Sequence, residues 1–326
     1  KQLDPFSSDI AIGSAATDRS NYAYYSIRKA VDTVSDAEVV EMNVLAAPGI
    51  TVDTLNNHIV NVCEQRADAL AIVDIGGGYK PRANRTASAT FATYGGSATA
   101  TLQRLDDMGL NSSYACCYYP WVQIKDTTSG AALWAPPSVV ALGTMGSAET
   151  KSDVWFAPAG FTRGGLSEGS AGMPVSAVRD RLTSKQRDDL YAANVNPIAT
   201  FPAEGIVIFG QKTLQTQASA LDRINVRRLM IFVKKEISRM AATTLFEPNV
   251  QRTWNNFLGR INPFLRSVQS GLGLSDFKVV LDESTTTEEL IDRNIMYAKI
   301  LLKPTRAIEY IAIDFVITNS GASFED

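Results

Sequence analysis

The segment Arg223–Ala242 (RINVRRLMIFVKKEISRMAA) constrains the fold most, because its pattern predicts a long helix that packs on one side. At 100° per residue, its apolar side chains share one narrow face: Val226, Leu229, Met230, Val233, Ile237 and Met240. Six cations fall on the opposite side: Arg223, Arg227, Arg228, Lys234, Lys235 and Arg239. Two interpretations stay open. The segment is either an ordinary surface helix with a solvated charged face, or a docking helix whose cationic face meets an acidic partner.

Length and charge limit the class of protein. The chain has 326 residues, which favours two domains over a single core. Its 45% hydrophobic and 20% charged residues are typical of a soluble globular protein. The net charge of −3 gives no overall attraction to nucleic acid or to an anionic membrane, and no apolar run approaches the roughly 20 residues that span a bilayer. We therefore expect neither nucleic-acid binding nor membrane insertion.

The chain start and the cysteines bear on origin and compartment. The sequence begins at Lys1 rather than Met and shows nothing similar to a signal peptide, as expected of a fragment. Cys63, Cys116 and Cys117 form neither a disulfide framework nor a CxxC zinc motif, which favours a reducing interior. Cys116 and Cys117 are neighbours on a predicted strand, so they point to opposite faces and cannot jointly hold a metal.

The N-terminal half predicts an α/β domain. A strand over 39–45 is followed by a helix over 52–66, which Thr51 caps, and by a short apolar strand over 69–75. Such a strand–helix–strand unit is typical of a parallel sheet. Further predicted elements are a helix over 22–34, a helix over 99–108, one aromatic-rich strand over 113–124, a helical or extended element over 139–145 and a strand over 154–157.

The C-terminal half mixes helices and strands. Its predicted elements are a helix over 184–193, a hairpin over 198–201 and 205–209, helices over 223–242 and 253–265, and strands over 277–282, 296–303 and 308–318. The last strand (IEYIAIDFVIT) is apolar on both faces, which suggests cover on both sides, with another chain as one candidate for that cover.

No residue pattern in the chain predicts an active site. His58 lies in the middle of a predicted helix, and a surface histidine is favoured over a catalytic base. The segment 143–148 (GTMGSA) is faintly similar to a serine nucleophile turn, but it is not GxSxG and no histidine motif accompanies it. The turn Gly76–Gly78 lacks a phosphate-binding pattern. We therefore predict no catalytic, cofactor-binding or metal-ligating residue.

Several segments resemble, in the same order, the contractile tail sheath proteins of T-even-type phages. Residues 155–164 (WFAPAGFTRG) are similar to the PAG…RG turn of that family, and 190–198 (LYAANVNPI) to its LY…NVNPI segment. Residues 205–210 (GIVIFG) and 224–229 (INVRRL) continue the series. The ordered resemblance extends over 155–320, which makes it more specific than any single short motif.

The resemblance implies an α/β (α+β) fold class with two domains. Residues 1–168 would be the C-terminal part of a larger α/β sheath domain, subtilisin-like in shape but without the triad. Residues 169–326 would be a smaller α+β domain that forms the inner, tube-facing layer and carries terminal strands for sheet augmentation between subunits. The composition shift after Leu166 agrees with this boundary.

The family also implies a structural rather than an enzymatic function. Its subunits polymerise as hexameric rings stacked helically around the tail tube, and they contract to drive the tube through the host envelope during genome delivery. The implied partners are further copies of the chain, the tail tube protein, the baseplate and the tail terminator proteins. The implied location is the virion tail, after assembly in the host cytoplasm.

Two sets of residues are then candidates for contact between proteins. The cationic set, expected to face the tube or a neighbouring subunit, is Arg223, Arg227, Arg228, Lys234, Lys235 and Arg239. The set expected in the inter-subunit strand is Ile308, Tyr310, Ile311, Ile313, Phe315 and Ile317. Two alternatives remain: an α/β hydrolase that uses Ser147 or His58, and a monomeric binding module that uses the basic helix.

Overall fold

The computed structural model describes residues 22–76, 97–126, 128, 130–167, 169 and 171–309. The helices in these ranges are α1 (Tyr22–Thr33), α2 (Asp53–Arg66), α3 (Ala98–Met108), α4 (Pro137–Lys151), α5 (Gly160–Arg163), α6 (Ser184–Ala192), α7 (Ile224–Ala242), α8 (Gln251–Ser270) and α9 (Glu288–Asp292). The strands are β1 (Val44–Ala46), β2 (Leu70–Val73), β3 (Ala115–Tyr119), β4 (Val122–Lys125), β5 (Ala132–Ala135), β6 (Val175–Val178), β7 (Val195–Phe201), β8 (Gly205–Ile208), β9 (Leu274–Val280) and β10 (Lys299–Pro304). Within these ranges, no helix has the length and apolar character needed to cross a membrane.

The elements α1–α6 and β1–β8 make up the α/β part of the molecule, and α8, α9, β9 and β10 make up the C-terminal part. A five-stranded sheet forms the centre of the α/β part, in the order β1-β2-β3-β7-β8. The first four strands are parallel, and β8 pairs antiparallel with β7 in the predicted hairpin. All four residues of β2 are buried, as its continuous apolar sequence predicts. The sheet crosses the domain boundary predicted after residue 168, because β7 and β8 extend a sheet that begins with β1.

Helices cover both faces of this sheet. The helices α2 and α3 pack on one face together with Ala71 and Cys117, whereas α4 packs on the other face together with Ile72 and Cys116. The adjacent cysteines therefore point to opposite faces, as the two-residue period of a strand requires. This layered arrangement of helices on a mostly parallel sheet confirms the mixed α/β class.

Four local predictions need correction or refinement. The segment 113–124 forms two strands, because Pro120 has no N–H to continue the ladder, and β4 pairs with β5 and β6 in a second sheet. The strand predicted over 154–157 is wrong, because residues 154–156 form a turn and a bend, from which the Trp155 indole donates a hydrogen bond to the Gly271 carbonyl at 2.7 Å. Thr51 does not cap α2, whose first turn follows Val52 without a side-chain cap. The undecided segment 139–145 is helical and lies within α4.

The C-terminal part has its own apolar cluster. Trp254, Phe257 and Ile261 of α8 pack against α7 and against the antiparallel pair β9–β10. The strand predicted over 296–303 is β10, which begins three residues later. Of the last predicted strand, only Ile308 and Glu309 lie within the described residues, where they have no regular secondary structure; 310–318 lies outside them.

Candidate assembly interface

The central helix α7 is held between two apolar cores rather than on one. Leu229 and Val233 pack into the C-terminal cluster, as the predicted apolar face requires. Ile224 and Ile231 pack into the core of the α/β part on another side of the helix. The other predicted face residues are buried or half-buried: Val226, Met230, Ile237 and Met240. The helix therefore joins the two parts of the molecule, and its buried surface is wider than the single apolar face predicted from the sequence.

Two of the cations predicted to face outward are buried inside the chain. Arg227 donates from Nε to the Ser113 carbonyl at 3.2 Å and from Nη2 to the Ser113 hydroxyl, and its Cζ lies 3.9 Å from the centroid of the Tyr114 ring. Arg228 donates from Nη2 to Glu149 at 2.8 Å. Burial lowers the pKa of both guanidinium groups. The predicted outer cationic face is wrong at these positions, because the α/β part covers this side of the helix.

Lys235 anchors the second half of the helix to the α/β part. Its Nζ lies 2.6 Å from the Met42 carbonyl and 2.6 Å from the Asn43 side-chain oxygen, and 3.8 Å from the Asp68 carboxylate. Desolvation lowers the pKa of this lysine, while the neighbouring Asp68 opposes the shift. Lys235 therefore has a set of partners within its own chain.

The remaining two cations of this half are exposed. Arg239 pairs with Glu236 at 2.5 Å and with Glu41, and its side chain is 56% exposed. Lys234 is exposed and donates to the Ala67 carbonyl at 3.2 Å. Contacts made at an exposed position exchange readily with water or with another protein. Lys234 and Arg239 are therefore the members of the predicted set best placed to meet a partner.

Arg223, before the first turn of α7, binds the end of the described chain. Its Nε and Nη2 donate to the two carboxylate oxygens of Glu309 at 2.6 and 2.9 Å, and its Nη1 lies 3.1 Å from Asp222. Gln211 donates to the same Glu309 carboxylate at 3.3 Å. This two-bond arrangement fixes where the chain leaves the C-terminal part.

An apolar groove of about 440 Å³ runs beside β10. Ile300 and Leu302 of β10 line one side, and Met230 and Ile237 of α7 line another. Among the described residues, β10 pairs only with β9, so the backbone groups of its second edge have no strand partner there. A strand added at this edge would place alternate side chains in the groove.

The residues of the hydrolase alternative do not come together. His58 on α2 bonds Asp32 of α1 at 2.6 Å, on one side of the central sheet. Ser147 lies on α4, which packs on the opposite side. The segment 143–148 is helical, and its first glycine serves close packing, because a Cβ at Gly143 would lie 2.1 Å from the Ala171 carbonyl oxygen. This geometry gives no catalytic pair.

A buried carboxylate that the sequence patterns did not single out lies at the end of β2. Asp74 accepts hydrogen bonds from the Gly49 N–H at 2.8 Å, the Ser138 N–H at 3.1 Å and the Ser138 hydroxyl at 2.6 Å. Desolvation raises its pKa, although these bonds oppose the shift. The position directly after a buried apolar strand was the available signal. The carboxylate accepts hydrogen bonds from Ser138 in the first turn of α4, so its role is structural. Within the described ranges, no group of three or more His, Cys, Asp or Glu side chains is arranged to hold a metal.

The sequence is similar to phage tail sheath proteins. Residues 216–318 match the family model of the phage tail sheath C-terminal domain. The tail sheath protein of Vibrio phage KVP40 is 35% identical over 222 residues, which are 68% of this chain and 32% of the relative. The tail sheath protein of Enterobacteria phage T4 is 27% identical over 98% of this chain and 49% of the relative. The chain thus spans about half the length, or less, of these curated relatives.

Solved sheath structures share the fold. The helical sheath of the anti-feeding prophage in the contracted state has a TM-score of 0.65 at 23% identity, over 94% of this chain and 76% of that one. The contracted sheath complex of the extracellular contractile injection system PVC gives 0.67 at 23% identity, over 88% and 74%. The relatives matched by sequence are structural tail sheath proteins and not enzymes. This chain belongs to the contractile tail sheath protein family, and its residues 216–318 correspond to the family's C-terminal domain.

Proposed function

We propose that the chain is part of a structural subunit that polymerises as stacked hexameric rings around a tail tube and contracts to drive the tube through the host envelope during genome delivery. The similarity to tail sheath proteins over 98% of the chain supports this function. Its partners are further copies of itself, the tail tube protein, the baseplate and the tail terminator. The subunit acts in the virion tail and assembles in the host cytoplasm.

The observation that carries the proposal is the edge of β10 beside an apolar groove, an edge without a strand partner among the described residues. Residues 308–318 of a neighbouring copy are the proposed occupant. With a two-residue period, Ile311, Ile313, Phe315 and Ile317 share one face and would enter the groove, while Ile308 and Tyr310 lead into the strand. Backbone hydrogen bonds at the edge supply affinity, and the side chains in the groove fix the register.

Such a link suits a sheath that changes its packing. A strand held by backbone bonds can stay attached while the rigid parts rotate, and head-to-tail contact without closure generates a helical tube. Energy is then stored as a difference in interface burial and charge pairing between two packings of unchanged domains. We also propose that the α/β part resembles subtilisin in shape but lacks the catalytic triad.

Lys234 and Arg239 are the proposed contacts to the tube or to the next subunit, because both are exposed. The other four cations of the set have partners inside the chain and hold α7 in place for these contacts: Arg223, Arg227, Arg228 and Lys235. Exposed charge pairs contribute little when isolated, so this contact depends on repetition along the sheath and weakens as salt screens it.

Deleting residues 308–326 tests the proposal. The truncated protein should stay soluble and folded, since the buried core ends before this segment and Arg223 keeps its second partner Asp222 when Glu309 is removed, but it should form no regular sheath in negative-stain micrographs. Deletion of only 320–326 is the matched control and should assemble as the intact chain does. Regular sheath formed by the 308–326 deletion would refute the strand link.

A further inference from the structure

Three phenylalanines form an exposed aromatic patch on the α/β part. Phe161 of α5, Phe201 of β7 and Phe209 after β8 have ring centroids 5.1, 5.6 and 5.0 Å apart in the three pairs. Phe161 is 52% exposed and Phe209 is 42% exposed. Exposed clusters of aromatic rings are typical of surfaces that another segment or protein covers.

The described chain ends beside this patch. A cavity of about 370 Å³ is lined on one side by Phe209 and Gly160, and on another by Ala307, Ile308 and Glu309. The described chain therefore ends at the edge of the patch. This continuity identifies the chain's own C-terminal segment as the nearest available cover.

The Arg223–Glu309 pair acts as the anchor for that segment. The pair is bidentate, and the Arg223 and Glu309 side chains are only 25% and 16% exposed. A partly buried, two-bond carboxylate–guanidinium contact fixes direction as well as position. The chain is thus held at one point before it reaches its most apolar stretch.

The segment that follows has a matching composition and length. Residues 310–318 (YIAIDFVIT) carry a single charge, at Asp314. Nine extended residues reach roughly 30 Å, enough to cross a patch of three rings. A strand of this composition left uncovered on a free subunit would pair with other chains or aggregate.

We propose that, in the subunit before assembly, residues 310–318 dock on the patch of Phe161, Phe201 and Phe209 of the same chain, held at Glu309. The segment leaves this patch when it joins a neighbouring subunit, a step that rests on the proposed function. Docking within one chain keeps the linking strand covered until a partner edge replaces the patch. Assembly is then an exchange of one apolar cover for another.

Hydrogen–deuterium exchange on the dilute monomer tests this docking. Amides of 311–318 should exchange slowly in the natural protein, and at least tenfold faster in the variants Glu309→Gln and Phe161→Ser, a change that corresponds to about 1.4 kcal/mol. The controls are Glu288→Gln, an exposed acid of α9, and Phe246→Ser, an exposed phenylalanine in the loop between α7 and α8; both should leave the rate unchanged. Fast exchange in the natural monomer, or acceleration by Glu309→Gln alone, would overturn the docking.

A disulfide test measures proximity directly. In the double variant Thr162→Cys/Asp314→Cys, which keeps all three phenylalanines of the patch, mild oxidation of the monomer should close a bond within one chain, whereas a Phe246→Cys/Asp314→Cys pair should not close. The native thiols do not compete, because all three are buried and desolvation raises the pKa of Cys63 and Cys116 to about 12. Absence of the 162–314 bond would overturn the docking. Sheath formation is scored separately, so a protein that assembles without monomer docking refutes only this inference.

Discussion

Removing the acidic partner of Arg228 should destabilise the protein more than removing Arg228 itself. The Arg228 side chain is 6% exposed, whereas that of Glu149 is 45% exposed. The variant Glu149→Ala leaves a buried guanidinium without its carboxylate. The variant Arg228→Met removes the buried charge and leaves a carboxylate that water already solvates. The two halves of one ion pair should therefore respond unequally.

The magnitude follows from these two exposures. A hydrogen bond to a charged group contributes about 1.5–3 kcal/mol, and breaking a fully buried pair costs about 3–5 kcal/mol. Because Glu149 is nearly half exposed, we expect about 2–3 kcal/mol for Glu149→Ala. Methionine fills a similar volume, and Nη1 of Arg228 has no hydrogen-bond partner among the described residues. Arg228→Met should therefore change stability by less than about 1 kcal/mol.

Urea unfolding followed by circular dichroism and by fluorescence measures both variants. The midpoint should fall for Glu149→Ala at an unchanged slope, and the two probes should coincide if unfolding is two-state. The double variant Glu149→Ala/Arg228→Met should be no less stable than Arg228→Met alone. Equal losses in the two single variants, or a larger loss for Arg228→Met, would refute the burial of this cation in the interface between α7 and α4.

Three further changes have defined outcomes. Asp74→Asn should lower the unfolding free energy by about 1–3 kcal/mol at pH 7, measured by urea unfolding, because the amide offers one acceptor oxygen where the carboxylate offers two to its three hydrogen-bond donors. Because burial raises the pKa of Asp74 in the folded state, the protonated carboxyl stabilises the fold below the unfolded-state pKa, and this contribution is lost as the pH rises through the folded-state pKa. The difference in unfolding free energy between the natural protein and Asp74→Asn should therefore narrow from about pH 4 upward, and a constant difference would contradict this linkage. Gly143→Ala should lower the melting temperature by several degrees, while Gly146→Ala on the same helix, where a Cβ meets nothing within 4 Å, should be neutral or stabilising by up to about 1 kcal/mol; equal effects would contradict the close approach at Gly143. Lys234→Glu with Arg239→Glu should weaken sheath formation on tubes and make it more sensitive to salt in a sedimentation assay, and unchanged assembly across a salt series would exclude these contacts.

Local periodicity predicted the elements whose burial pattern repeats over a few adjacent residues in the sequence. The apolar run of β2 and the hairpin β7–β8 follow from sequence because burial repeats within a few residues. The opposite orientation of Cys116 and Cys117 follows from the strand period alone. These features needed no knowledge of distant parts of the chain.

Long-range partners were not predictable in the same way. Arg227 and Arg228 look like an exposed stripe in sequence, but the groups that they bind, Ser113 and Glu149, lie 114 and 79 residues away. Glu309 meets Arg223 across 86 residues, and nothing in its local sequence marks it as an anchor. A helix projection shows which side chains share a face, but it does not show which faces the rest of the chain covers.

Electron microscopy of the purified protein at its full natural length tests the sheath assignment most directly. The protein, alone or with tail tubes, should form striated tubes of stacked rings with a wide lumen. Dispersed single particles under the same conditions, with tubes present and the chain shown to be folded by circular dichroism, would contradict a sheath subunit.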